Sequence, residues 1–155
     1  MDRIKNSADP ILIAGGGIGG LAAALALAQR GFYCRVLEQA AELKEVGAGI
    51  QLGPNSQRCL RALGLEAPVK AFAVFPQALV MMDAVTAQEV VSIPLGGFEE
   101  RFKAPYALIH RADLHRCLIE ACKASPQISL ETSAQVTDFE DNGSTVRIAI
   151  VGGES

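Results

Sequence analysis

Apolar residues in this chain come in blocks rather than at even spacing. After Pro10 a compact run, Ile11-Leu12-Ile13-Ala14, leads into Gly15-Gly16-Gly17-Ile18-Gly19-Gly20. An Ala/Leu-rich stretch follows as far as Arg30, and a second apolar run from Tyr33 stops at Glu38. A short run entering a glycine turn, a helix-length stretch and another short run predict strand, helix and strand. The expected bounds are Ile11–Ala14, Gly19–Gly31 and Tyr33–Glu38, with a short helical turn over Gln39–Lys44.

The pattern then loosens. Val46-Gly47-Ala48-Gly49-Ile50-Gln51-Leu52-Gly53 is apolar without a helical period, and its glycines suggest backbone lying close to a ligand. Pro54-Asn55 opens a helix capped near Asn55, with Cys59, Leu60 and Leu63 on its apolar face and Gly64 as its stop. Ala78–Asp83 and Glu89–Ile93 predict a hairpin, Pro94–Lys103 a loop and Ala107–His110 a strand. The helical period returns at Arg111, places Leu114, Leu118, Ile119 and Cys122 together, and ends at Ser125-Pro126. Ile128–Glu131 predicts a third parallel strand. Gln135–Phe139 and Thr145–Val151 flank the reverse-turn pair Asn142-Gly143. The expected fold class is α/β: a Rossmann-like βαβ start with an inserted β-rich segment at about 72–106.

The order strand, glycine turn, helix, strand, acid is the fingerprint of a dinucleotide-binding unit. Gly15 permits the turn, Gly17 lets backbone lie against a pyrophosphate, and Gly20 lets the helix pack on the strand. The helix N-terminus would aim free N–H groups at the phosphates. Glu38 lies near the spacing of ~20 residues expected of the acid that binds the adenosine ribose. A carboxylate there suits a free 2′-hydroxyl and repels a 2′-phosphate, which favours FAD or NAD over NADP. The stretch Ile11 to Ala28 also has the length of an export signal. Gln29-Arg30 follow it in place of a small-residue cleavage site, and its glycines make a poor membrane helix.

Composition narrows the picture further. A chain of 155 residues, half of them hydrophobic, can bury one core and is not a disordered composition. The net charge of -3 and the lack of a dominant basic stretch argue against a nucleic-acid partner. Cys34, Cys59, Cys117 and Cys122 form no C-x-x-C pair and read as reduced, buried thiols of a cytoplasmic protein. His110 and His115 fall on different faces of a helix with no carboxylate cluster, so no metal site is expected. Tyr106 and His110 read as packing residues, and Asp113 as a charge that complements a helix start.

Four segments carry a resemblance to a known family: Ile13-Ala14-Gly15-Gly16-Gly17-Ile18-Gly19-Gly20-Leu21; Val46 to Asn55; Met81-Met82-Asp83-Ala84-Val85; and His110-Arg111-Ala112-Asp113-Leu114-His115. On these the chain resembles the N-terminal part of the single-component flavoprotein aromatic hydroxylases, and within them the 3-hydroxybenzoate 6-hydroxylase and salicylate hydroxylase group. The resemblance implies FAD as cofactor, held by Gly15, Gly17, Gly19, Gly20 and Glu38, with help from Gln39, Gln51, Arg111 and the backbone of Val136. An arginine at a helix start opposes the helix dipole, so a nearby anion would account for Arg111. The implied reaction consumes NADH or NADPH and oxygen to hydroxylate a phenol ring, with the flavin carrying the hard steps. No catalytic residue is named within these segments.

Members of that family are much longer, and their later Asp-Gly and Gly-Asp segments near the flavin are not found here. The chain is therefore expected to be an incomplete FAD-binding domain: a truncated product, half of a split gene, or a shortened piece. Its 72–106 segment would belong to the substrate-domain side. Alone it is expected to turn nothing over. The first strand would keep a free apolar edge, open to self-association or to a complementary C-terminal chain. The alternatives are a non-catalytic FAD-binding remnant and an NAD-dependent dehydrogenase or reductase sharing only the βαβ start.

Overall fold

A computed structural model describes residues 10–44, 47–151 and 153–154. In chain order its elements are β1 (Ile11–Ala14), α1 (Ile18–Ala28), β2 (Cys34–Leu37), β3 (Gly49–Leu52), α2 (Pro54–Ala62), α3 (Glu66–Lys70), β4 (Ala78–Met82), β5 (Glu89–Pro94), α4 (Phe98–Phe102), β6 (Ala107–His110), α5 (Arg111–Ala124), β7 (Ile128–Glu131), β8 (Val136–Asp141), β9 (Val146–Ile150) and β10 (Gly153–Glu154). The chain divides into two compact units, Met1–Glu45 with His115–Ser155, and Val46–Leu114. The segment expected to be inserted, 72–106, falls inside the second unit.

The first unit is built on a parallel sheet in the order β1-β2-β7. Ile11 stands opposite Cys34 and Cys34 opposite Ile128, so β2 is the central strand. Its Cys34, Val36 and Leu37 are buried, as a strand covered on both faces requires. Between β2 and β7, Arg35 and the Glu131 carboxylate pair at 2.8 Å. Helix α1 buries Leu21, Ala24, Leu25 and Ala28. That stripe recurs at the three- and four-residue spacing of a helix packed on a sheet. Behind the sheet, Leu37, Ala134 and Ile148 form a small core, joined by the half-buried Leu12, Val136 and Ile150. β8 and β9 pair antiparallel around the Asn142-Gly143 turn, with Gly143 at φ +83°.

The second unit pairs β3 antiparallel with β6, and β4 with β5. Leu52, Leu60, Leu65, Val69, Leu95, Ala107 and Ile109 are buried in it. The β4–β5 hairpin is exposed along most of its length, including Val80, Met81, Val91 and Ile93.

Four local readings are corrected. Gln39–Lys44 forms no helix, because its polar backbone is engaged elsewhere: Ala40 N–H bonds the Glu38 side chain, and the Ala40 carbonyl accepts Ser133 N–H. The 94–103 stretch is not all loop. It contains the helical turn α4, with Glu99 and Glu100 in its first turn and Lys103 closing it at φ +60°. Helix α2 is capped by Gly53, with Pro54 at its first position, and Asn55 lies inside it. Of the four cysteines, Cys34, Cys117 and Cys122 are buried but Cys59 is exposed. Among the described residues, no helix is long and apolar enough to cross a membrane.

Candidate functional site

The glycine turn joins β1 to α1 in the first unit. Gly15 sits at φ +104°, where a side chain is strained, and its N–H bonds the Leu37 carbonyl at 2.7 Å. Gly17 caps α1 in an extended conformation with no side chain bonding the first turn, and that turn carries no acid. The N–H groups at the start of α1 are therefore left for an outside acceptor. Two glycines of the helix differ in kind. A Cβ on Gly20 would run into the Gly15 carbonyl oxygen, so the protein's own packing excludes it. A Cβ on Gly19 would meet no atom of the described residues within 4 Å outside its own stretch of helix. Nothing among the described residues demands glycine there, whereas a phosphate against the helix start would.

Glu38 follows the last residue of β2. Its Oε2 accepts the Gly16 N–H at 2.7 Å and its Oε1 accepts the Ala40 N–H at 2.9 Å. These bonds, the one from Ala40 first, hold the carboxyl below the ordinary glutamate range. A carboxylate has about four lone-pair sites. Two are engaged by backbone, leaving capacity for ribose hydroxyls. The other polar atom of Gly16, its carbonyl oxygen, lies 2.7 Å from His115 Nε2. A carbonyl only accepts, so Nε2 carries the proton. His115 is buried, 3% exposed. Sequence reasoning weighed this histidine only as a metal ligand. The missed signal is its helical position, three residues before Leu118 and seven before Cys122. Both are buried, so a histidine aligned with them on that face needs a partner.

Two hollows of about 160 Å³ flank Glu38. One lies between Gly16, Gly17, Ala40, Leu43 and His115. The other lies between Gly15, Leu37, Gln39, Ala134 and Val136. The structure thus brings Gly15, Glu38, Gln39 and Val136 to one hollow, beside the start of α1 that holds Gly17, Gly19 and Gly20.

Gln51 and Arg111 belong to the second unit. Gln51 is on β3, opposite Leu108 of β6, and Gly49 faces His110, so Gly49, Gln51, Leu108 and His110 share the more exposed face of this ribbon. Ile50, Leu52, Ala107 and Ile109 form the inner face. Arg111 begins α5 directly after β6. Its N–H bonds the Ala48 carbonyl at 3.2 Å, and a Cβ on Gly47 would lie 3.1 Å from the arginine's own Cβ. The glycine-rich stretch is therefore laid along the arginine stem. Within the described residues, no cluster of three His, Cys, Asp or Glu side chains is arranged for a metal ion.

An uncapped helix start, a glycine whose side of the helix is empty of protein, and a carboxylate with unused lone pairs together fit the diphosphate and ribose of an adenine dinucleotide. A family model described as an FAD binding domain matches residues 9–155, and the chain belongs to that family. It is 47% identical over 145 residues to 3-hydroxybenzoate 6-hydroxylase of Polaromonas naphthalenivorans, covering 92% of this chain and 36% of that protein. It is 49% identical over 132 residues to 3-hydroxybenzoate 6-hydroxylase 1 of Aquipseudomonas alcaligenes, covering 84% and 34%. Among solved structures it is similar to Klebsiella pneumoniae HpxO complexed with FAD and uric acid, with a TM-score of 0.83 at 25% identity over 99% of this chain and 39% of that one. The chain spans just over a third of the curated relatives it matches.

Proposed function

We propose that this chain supplies the FAD-holding part of an NAD(P)H-dependent monooxygenase that hydroxylates a phenolic acid such as 3-hydroxybenzoate. The observation that carries the reading is the uncapped start of α1 between the Gly15 turn and the Glu38 carboxylate. Gly17, Gly19 and Gly20 would receive the diphosphate, and Glu38 with Gln39 the adenosine ribose. Backbone at Val136 would edge the adenine. Gln51 and Arg111 are proposed as further FAD-binding residues on the strength of the family resemblance. Bound flavin would supply hydride acceptance and oxygen activation, while the protein orients it and excludes water. The likeness to two 3-hydroxybenzoate 6-hydroxylases supports the substrate class. The exposed apolar hairpin of β4 and β5 supports assigning 72–106 to the substrate side.

Titration with FAD, followed by flavin fluorescence, tests the cofactor reading. Saturable binding is expected, with Glu38→Ala weakening it at least about tenfold, the loss of one or two charge-assisted hydrogen bonds. A folded chain that ignores FAD at high excess overturns it. The reaction is tested by 3-hydroxybenzoate-dependent NADH oxidation with a hydroxylated product, measured on a polypeptide carrying this segment. Among the described residues β1 pairs on one side only, with β2. Sedimentation velocity is expected to show self-association through that edge. A monomer at all concentrations removes that part of the proposal.

A further inference from the structure

The second unit contains a cavity of about 330 Å³ that the cofactor reading does not use. That volume lies within the range of small-molecule sites. Its floor is Gln57 of α2 and Leu95, both buried. Its walls are Phe75, Pro76, Pro105 and Tyr106. The Tyr106 ring stands edge-on to Phe98, with centroids 6.1 Å apart and planes at 87°, which fixes one wall in place.

Gln57 is 8% exposed, and its Nε2 is buried with no hydrogen-bond partner among the described residues. Buried amide groups are nearly always paired, and leaving one unpaired is destabilising. A glutamine amide turns readily about its last torsion, so either end can be presented to the cavity. Presenting the nitrogen leaves the oxygen inward, and an under-satisfied carbonyl is tolerated more often than an orphaned N–H.

The rim indicates the charge of the occupant. Glu66, Lys70 and Glu99 line it and are exposed. Glu66 is held bidentately by Arg61, at 2.6 and 2.9 Å. Lys70 and Glu99 are opposite in sign. The mouth therefore has little net field with which to draw an ion. Ring walls at Phe75, Pro76, Pro105 and Tyr106, one buried donor and a balanced polar rim select an uncharged ring that offers an acceptor.

We propose that this cavity is a binding site for a small uncharged aromatic molecule whose hydrogen-bond acceptor is met by Gln57. The site lies wholly within Val46–Leu114 and requires no flavin. The probe is benzamide, with toluene as the ring that lacks an acceptor. Amide-resolved NMR titration of the full chain is expected to give shifts centred on Gln57, Leu95 and Tyr106, with benzamide binding more tightly than toluene. Gln57→Leu removes the orphaned donor, so the variant is expected to fold. It should bind benzamide about tenfold more weakly and toluene unchanged. Leu95→Phe, which fills the floor, should abolish both. Shifts spread away from these residues, no binding up to the solubility limit, or equal benzamide affinity in the wild type and Gln57→Leu would each overturn the proposal.

Discussion

His115 donates from Nε2 to the carbonyl oxygen of Gly16 across 2.7 Å, tying α5 to the glycine turn across 99 residues of chain. Glu38 grips the N–H of the same glycine at 2.7 Å. The turn's shape is thus set by two side chains, and not by its glycines alone.

Replacing His115 by Phe keeps the ring volume and deletes the donor. The buried Gly16 carbonyl then loses its partner, at a cost of about 1–3 kcal/mol. Thermal or urea denaturation of the flavin-free chain is expected to register this loss. FAD affinity should fall too, because the turn that receives the diphosphate loses one of its two supports. An unchanged midpoint with unchanged affinity would show that the bond contributes nothing.

Glu38 makes stability depend on pH. Its carboxyl is held below the ordinary glutamate value by the Ala40 and Gly16 N–H groups, so the folded state favours the charged form. A depressed folded pKa contributes stability that is fully present above the unfolded value of about 4.3 and is lost as pH falls through the folded value. Glu38→Gln, which cannot offer two charged oxygens, should destabilise the chain by about 1 kcal/mol at pH 7. The gap to wild type should begin to narrow below about pH 4.3 and close as the pH falls through the depressed folded value. Urea midpoints of both proteins from pH 3 to 7 measure it. A gap that persists unchanged at pH 3 would remove the linkage.

The parallel core was legible because β1, α1, β2 and β7 follow their own periodicity. Ile11–Ala14, Tyr33–Glu38 and Ile128–Glu131 each lie within a residue or two of the observed strand. The hairpins of β4–β5 and β8–β9 were equally plain in their short β-prone runs. The shortest helices were not. α3 and α4 are single turns; α4 is supported by Phe98 packing on Phe102 within it at 5.0 Å and on Tyr106 beyond it at 6.1 Å, and no 3.6-residue pattern can register in five residues. The glycine turn and Glu38 were legible as a motif. The second job of Glu38, bonding two backbone N–H groups, was not, because motif spacing reports what a ligand needs and is silent about what the turn needs. His115 escaped for the same reason, since its partner is a main-chain carbonyl.

The cysteines give a direct check on packing. Cys59 is exposed while Cys34, Cys117 and Cys122 are buried. Burial also pushes the Cys122 thiol up to about 11, with the neighbouring Cys34 adding to the shift, so little thiolate forms there at neutral pH. Treating the folded chain with iodoacetamide at pH 8 should label Cys59 rapidly and leave the other three until denaturant is added. Mass spectrometry of the digested protein reads each site. Early labelling of Cys122 would contradict its place against α1, where its Sγ lies 3.6 Å from the Leu21 carbonyl oxygen.

Gly19 and Gly20 separate folding from binding. At Gly20 an added methyl group meets the Gly15 carbonyl, a backbone atom that cannot swing aside. Gly20→Ala should therefore cost about 1–3 kcal/mol of stability by overpacking, with or without ligand. At Gly19 the same methyl meets no atom of the described residues within 4 Å outside its own stretch of helix. Alanine is the better helix former by about 1 kcal/mol, so Gly19→Ala should leave the flavin-free chain as stable as wild type or more so. Its effect should appear only when FAD is added, because the methyl occupies the space a diphosphate needs against the helix start. The expected pair of results is a lowered melting point for Gly20→Ala, and a kept or raised one with weakened FAD binding for Gly19→Ala. If Gly19→Ala binds FAD as tightly as wild type, the diphosphate does not lie against the start of α1.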